Sequence, residues 1–149
     1  MESQVPGKTR HPIRKGRIMR IVMVESDWNF EAKAVAYLES RADMVVRQSP
    51  DTAVRHAQAW QPDVVILAAE YATEDVLNGL RALPSRPAIL ITEHMSRFDR
   101  AWRAWQLGGD ELLMKPLFHT RELHDAIVIA MERAALNANQ APASLAASA

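Results

Sequence analysis

The chain has 149 residues, enough for one domain with tails but not for two, so one core and one site are expected. Its 18 basic and 18 acidic side chains cancel, which excludes an overall electrostatic pull toward nucleic acid or an anionic membrane. There is no cysteine, so disulfides, thiolate chemistry and cysteine-ligated zinc are excluded, and the longest apolar runs, such as Val64 to Ala69, are too short to cross a bilayer.

Residues 1–19 carry Lys8, Arg10, Arg14, Lys15 and Arg17 against one acid, Glu2, and are broken by Pro6, Gly7, Pro12 and Gly16. With no periodicity to bury a face, the segment reads as a disordered basic arm, a solvated leader rather than a phosphate-backbone clamp, with Met19 as an alternative start. Arg20 to Val24 is a short β-branched run and reads as the first strand; Trp28 to Ser40 follows as a helix, with Phe30, Ala34, Tyr37 and Leu38 at helical spacing. Met44 to Val46 predicts a second strand, and Ser49 to Trp60 a second helix opened by a Ser-Pro capping signal. Val64 to Ala69 is continuously apolar, as a central parallel strand covered on both faces must be, and Thr73 to Leu83 predicts the third helix. Ala88 to Ile91 reads as the fourth strand, Ser96 to Leu107 as the fourth helix stopped by Gly108, and Glu111 to Met114 as the fifth strand. Thr120 to Leu136 closes the domain with a clean apolar stripe, and 137–149, built from Ala, Ser, Asn, Gln and Pro with one leucine, reads as a flexible tail.

Five strands alternating with five helices predict an α/β domain over 20–136, a parallel sheet wound on both faces, because right-handed crossovers place the helices on either side. Such sheets bind ligands at the carboxyl ends of their strands, which singles out Glu25, Ser26, Asp27, the segment from Ala68 to Tyr71, Thr92, Glu93 and Lys115.

The run Gly108-Gly109-Asp110-Glu111-Leu112-Leu113-Met114-Lys115-Pro116, together with Val24-Glu25-Ser26-Asp27, Gln61-Pro62-Asp63 and Ile91-Thr92, resembles the receiver domains of two-component response regulators. That resemblance implies a flavodoxin-like five-stranded sheet in the order 2-1-3-4-5, a cis Lys115-Pro116 bond, and regulation by phosphoryl transfer to an aspartate at the end of the third strand. Ala68 occupies that position, and a methyl group neither attacks phosphorus nor ligates magnesium. Glu25 stands at one first-strand acid position, Ser26 replaces the acid that would bind the metal directly, and Asp27 is expected to aim away. The sequence therefore reads as a degenerate receiver with no catalytic residue, no bound metal and no cofactor. Thr92 and Lys115 persist at the hydroxyl and ammonium positions. They either keep an anion pocket or, as expected here, leave Lys115 to pair with Glu25. Leu112 replaces the aromatic residue that switches rotamer in the family.

Surfaces are then the functional candidates, and the family's docking face is made by the fourth helix, fifth strand and fifth helix. Here that face offers Arg97, Arg100, Trp105 and Leu112, with Trp102 expected to pack inward and Trp105 to mark an interface if exposed. Trp28 is expected to plug the old pocket. The first functional reading is a cytoplasmic, non-enzymatic interaction module for a kinase, a regulator or a polarity protein, or a homodimer. The alternatives are a sensor of a small anion or nucleotide at Thr92 and Lys115, and a nucleic-acid regulator using the arm and the arginines, which the missing output domain disfavours.

Overall fold

Alternation within the strands decides how the layers assemble. A computed structural model describes residues 18–148, with side chains described to 138. Residues 1–17 of the basic arm lie outside the described residues. In chain order the elements are β1 (Arg20–Val24), α1 (Trp28–Ser40), β2 (Met44–Arg47), α2 (Ala53–Trp60), β3 (Val64–Ala68), α3 (Glu74–Arg81), β4 (Ala88–His94), α4 (Phe98–Leu107), β5 (Glu111–Lys115) and α5 (Thr120–Ser148). All strand pairs are parallel and the order is β2-β1-β3-β4-β5, the doubly wound flavodoxin-like sheet expected. Odd and even strand positions serve opposite faces. Ile21, Met23, Val64, Ile66, Ala88 and Leu90 meet α1 and α5 through Phe30, Leu38, Leu123 and Ile127. Val22, Val24, Val65, Leu67, Ile89 and Ile91 meet α2, α3 and α4 through Ala53, Ala57, Leu77, Leu80 and Ala104.

Several boundaries differ from expectation for identifiable reasons. The body begins at Met19, which is buried and whose amide donates to Asp43 Oδ1 at 3.1 Å. Ser49 does not cap α2. Residues 50–52 form a turn, the Thr52 hydroxyl bonds Gln48 Oε1 at 2.6 Å, and the helix starts at Ala53. β4 runs on to His94, and a single 3-10 turn, Met95–Arg97, precedes α4. Helical backbone continues past Leu136 to Ser148, a stretch rich in alanine, which loses no side-chain entropy in a helix.

The Gly108-Gly109-Asp110 run is a packing device. Gly108 has φ of 151°, and a Cβ on Gly109 would stand 2.5 Å from Ile91 Cγ1. Asp110 is fully buried and accepts two hydrogen bonds from Arg86, at 2.9 and 3.1 Å, and one from the Ile89 amide at 2.8 Å, tying β5 to β4. Because all five strands run the same way, their carboxyl ends gather the candidate residues at one edge of the molecule.

Candidate functional site

β1 ends at Val24, and the next residue, Glu25, turns its side chain inward, fully buried. Four donors converge on this one carboxylate. Oε1 accepts from Thr92 Oγ1 at 2.7 Å, and Oε2 accepts from Lys115 Nζ at 2.9 Å and from the amides of Ser26 and Asp27 at 3.1 and 3.0 Å. Lys115, the last residue of β5, has a side chain only 6% exposed, with its ammonium 5.3 Å from the centroid of the Phe30 ring. The expected Lys115–Glu25 pair is thus present, and the Lys115-Pro116 bond is cis, as expected. Thr92 sits beside Ala68 in the β3–β4 register, and the buried Ala68 contributes only a methyl group.

The receiver fold implies a magnesium ion here, and the residues do not fit one. A divalent ion of this kind needs several oxygen ligands. The oxygens of Glu25 already face four donors, one of them an ammonium, and no group of three or more His, Cys, Asp or Glu able to hold a metal occurs among the described residues. Ser26 is exposed and enters through its amide alone. Asp27 corrects the expectation that it aims away: Oδ1 caps α1 at the Phe30 amide, and Oδ2 lies 3.8 Å from Lys115 Nζ. One carboxylate can do both because the cap position sits directly above the end of β1.

A second ionic cluster, which the sequence does not announce, flanks the first. Glu93 is buried next to Thr92 and accepts from Arg100 Nε and from the His94 amide. Burial alone would raise the Glu93 carboxyl, but the Arg100 hydrogen bond, the His94 amide and the charges of Arg100 and Lys115 outweigh it and hold the group below its ordinary value. The same hydrogen bond, set against desolvation, raises the Arg100 guanidinium further. Arg100 also lies 3.9 Å from Glu70, so Glu70 serves as its outer partner. No period connects residues 93 and 100, because a strand end and a 3-10 turn separate them.

The aromatic residues depart furthest from expectation. Trp28 is 72% exposed on the first turn of α1 and does not plug the pocket, where Lys115 lies over Phe30. Trp102 is 43% exposed rather than packed inward, because α4 approaches the sheet through the small residues Ala101 and Ala104. Phe98, also exposed, stacks on Trp102 with centroids 6.3 Å apart, and the half-buried Trp105 follows at 5.0 Å, so the three rings form a ridge. Of the expected interface residues, Arg97 is exposed and 3.6 Å from Asp99, Arg100 is drawn down to Glu93, and Leu112 is half-buried against the core.

No protein-family model and no curated protein matches the chain. Solved structures do. NtrX from Brucella abortus, crystallised with ADP, superposes with a TM-score of 0.69 at 15% identity over 85% of this chain, which spans 29% of that protein. The receiver domain of a sensor histidine kinase from Pseudomonas aeruginosa, with magnesium coordinated in its active-site cleft, gives 0.66 at 20% identity over 78% of this chain and 99% of that domain. Full-length FixJ from B. japonicum gives 0.65 at 21% identity over 82% of this chain and 62% of that one. At these identities the likeness is one of fold, and the fold is that of receiver domains.

Proposed function

We propose that the chain is a phosphorylation-independent regulatory module of two-component signalling, a degenerate receiver that acts in the cytoplasm by docking a protein partner rather than by chemistry. The observation that carries this reading is the state of the strand-end site: Ala68 has no group to phosphorylate, and Lys115 and Thr92 are both committed to Glu25. The similar Pseudomonas domain coordinates magnesium in its cleft. Here an ammonium stands 2.9 Å from the fully buried Glu25 carboxylate, a cation supplied by the chain itself. The pocket is therefore held in one arrangement, without an incoming phosphoryl group to change it.

What remains is surface. The ridge of Phe98, Trp102 and Trp105 on α4, with Arg97 at its start, has the aromatic and arginine composition of binding hot spots, and it suits a kinase, a regulator, a polarity protein or a second copy of the chain. An anion sensor at Thr92 and Lys115 is disfavoured because the Thr92 hydroxyl proton and the Lys115 charge are both engaged by Glu25. A nucleic-acid role for the helix is disfavoured because Arg100 is neutralised by Glu93.

Incubation with acetyl phosphate and magnesium, followed by intact-mass measurement, tests the reading. No phosphoryl mass gain is expected, in the wild type or in Glu70→Ala, and a stable aspartyl or glutamyl phosphate would overturn it.

A further inference from the structure

Beside the Lys115–Glu25 pair, a cavity of about 190 Å3 opens between the first turns of α1 and the Lys115-Pro116 bond. Its sides differ in chemistry. Phe30, Pro116 and Leu117 supply apolar surface, whereas Asn29, Lys33 and His94 supply polar groups. Asn29 and Lys33 lie one helical turn apart and so rise from the same face of α1. Neither side chain has a hydrogen-bond or ion-pair partner among the described residues. The Nδ1 atom of His94 is engaged by Ser96, through its Oγ at 2.9 Å and its amide at 3.3 Å, so Nε2 is the ring nitrogen left for a ligand. The one acid on the lining, Asp27, is already engaged by the Phe30 amide and lies 3.8 Å from Lys115. What the cavity has in excess is donors and positive charge next to a flat apolar wall.

We propose that this cavity binds a small amphiphilic anion, with a ring-sized apolar body against Phe30, Pro116 and Leu117 and a carboxylate or phosphate head at Lys33 and His94. An anion gains a charge-assisted contact with Lys33 that a neutral or cationic ligand cannot make. A drug-sized ligand would not fit, since such pockets span roughly 300–1,000 Å3. The site adjoins the old phosphoryl position and shares Lys115 and Asp27 with it, but its head group is held by Lys33 and His94, and it does not rest on the docking role of α4.

The test is an amide-resolved NMR titration of the full chain with benzoate, with phenyl phosphate and with benzamide as the uncharged analogue. Saturable shifts at Asn29 and Leu117 are expected with benzoate or phenyl phosphate, and the one that saturates at lower concentration identifies the head group. Benzamide should bind about tenfold more weakly, as the loss of a charge-assisted hydrogen bond implies. Lys33 is exposed, so Lys33→Ala should fold normally and weaken the anion by a similar factor. The proposal is overturned by the absence of saturable shifts with both anions, by equal binding of benzamide, or by an affinity unchanged in both Lys33→Ala and His94→Ala.

Discussion

Glu25 is the residue on which the strand-end site turns, since four donors depend on it and it depends on none of them singly. Removing its charge and removing that of Lys115 should therefore have unequal effects. Glu25→Gln leaves the buried ammonium without its partner at hydrogen-bond distance, with only the longer-range charges of Asp27 at 3.8 Å and of Glu93, and is expected to cost about 3–5 kcal/mol of stability in urea unfolding. Lys115→Met leaves Glu25 with three other donors and should cost less, about 1.5–3 kcal/mol. The double variant should recover part of the Glu25→Gln loss, and an additive result would show that the two charges do not act as a pair. Glu93 gives a second prediction. Its carboxyl is held below the ordinary value of 4.5, so its stabilisation is fully present above that value and is lost as pH falls below it. The acid limb of a plot of melting temperature against pH should thus be flatter in Glu93→Gln than in the wild type. Ala68, Thr92 and the Glu25–Lys115 pair were legible because motif positions fix them one by one. Glu93 and Arg100 were not, because their meeting depends on where β4 ends.

At the scale of elements, the strands and most helices could be read from their own periods, and α4 shows where such reading fails. Two sets on this helix satisfy helical spacing: Ala101 with Ala104, and Phe98 with Trp102 and Trp105. Hydrophobicity favours the second set as the buried one. The structure buries the first, because small residues let the helix lie close to β4 while the bulkier rings remain at the flank. This roll of the helix is open to measurement. Ala104→Leu forces three heavy atoms into a packed interface and should cost about 1–3 kcal/mol, whereas Trp102→Ala, at an exposed position, should change stability by only about 0.5 kcal/mol. The reverse order in thermal unfolding would mean that α4 sits with its aromatic side inward. A similar ambiguity moved the start of α2, where Ser49-Pro50 carries a capping signature but the chain spends the hydroxyl of Thr52 on Gln48 within a turn.

For the whole molecule, topology was legible because strand–helix alternation leaves few right-handed solutions, while surface function depends on which faces are left uncovered. β5 closes the sheet with one side unpaired among the described residues, as a strand edge open to association. On α4, Arg100 and Arg103 line a groove with Ala69 and Glu70, so the Phe98–Trp102–Trp105 ridge, on the opposite flank of the helix, faces the β5 edge. A strand edge beside three aromatic rings is a place on this molecule where burial by another protein would gain free energy. Sedimentation equilibrium over a concentration series separates the possible occupants. If a second copy covers the face, the wild-type mass should rise with concentration and that of Trp102→Ala should stay at the monomer value. If the wild type is monomeric throughout, the occupant is a different protein, and a partner captured by the wild type should be lost by Trp102→Ala while its melting temperature shifts by only about 2 °C. A Trp102→Ala protein that matches the wild type in both self-association and capture would remove the α4 flank from the functional surface.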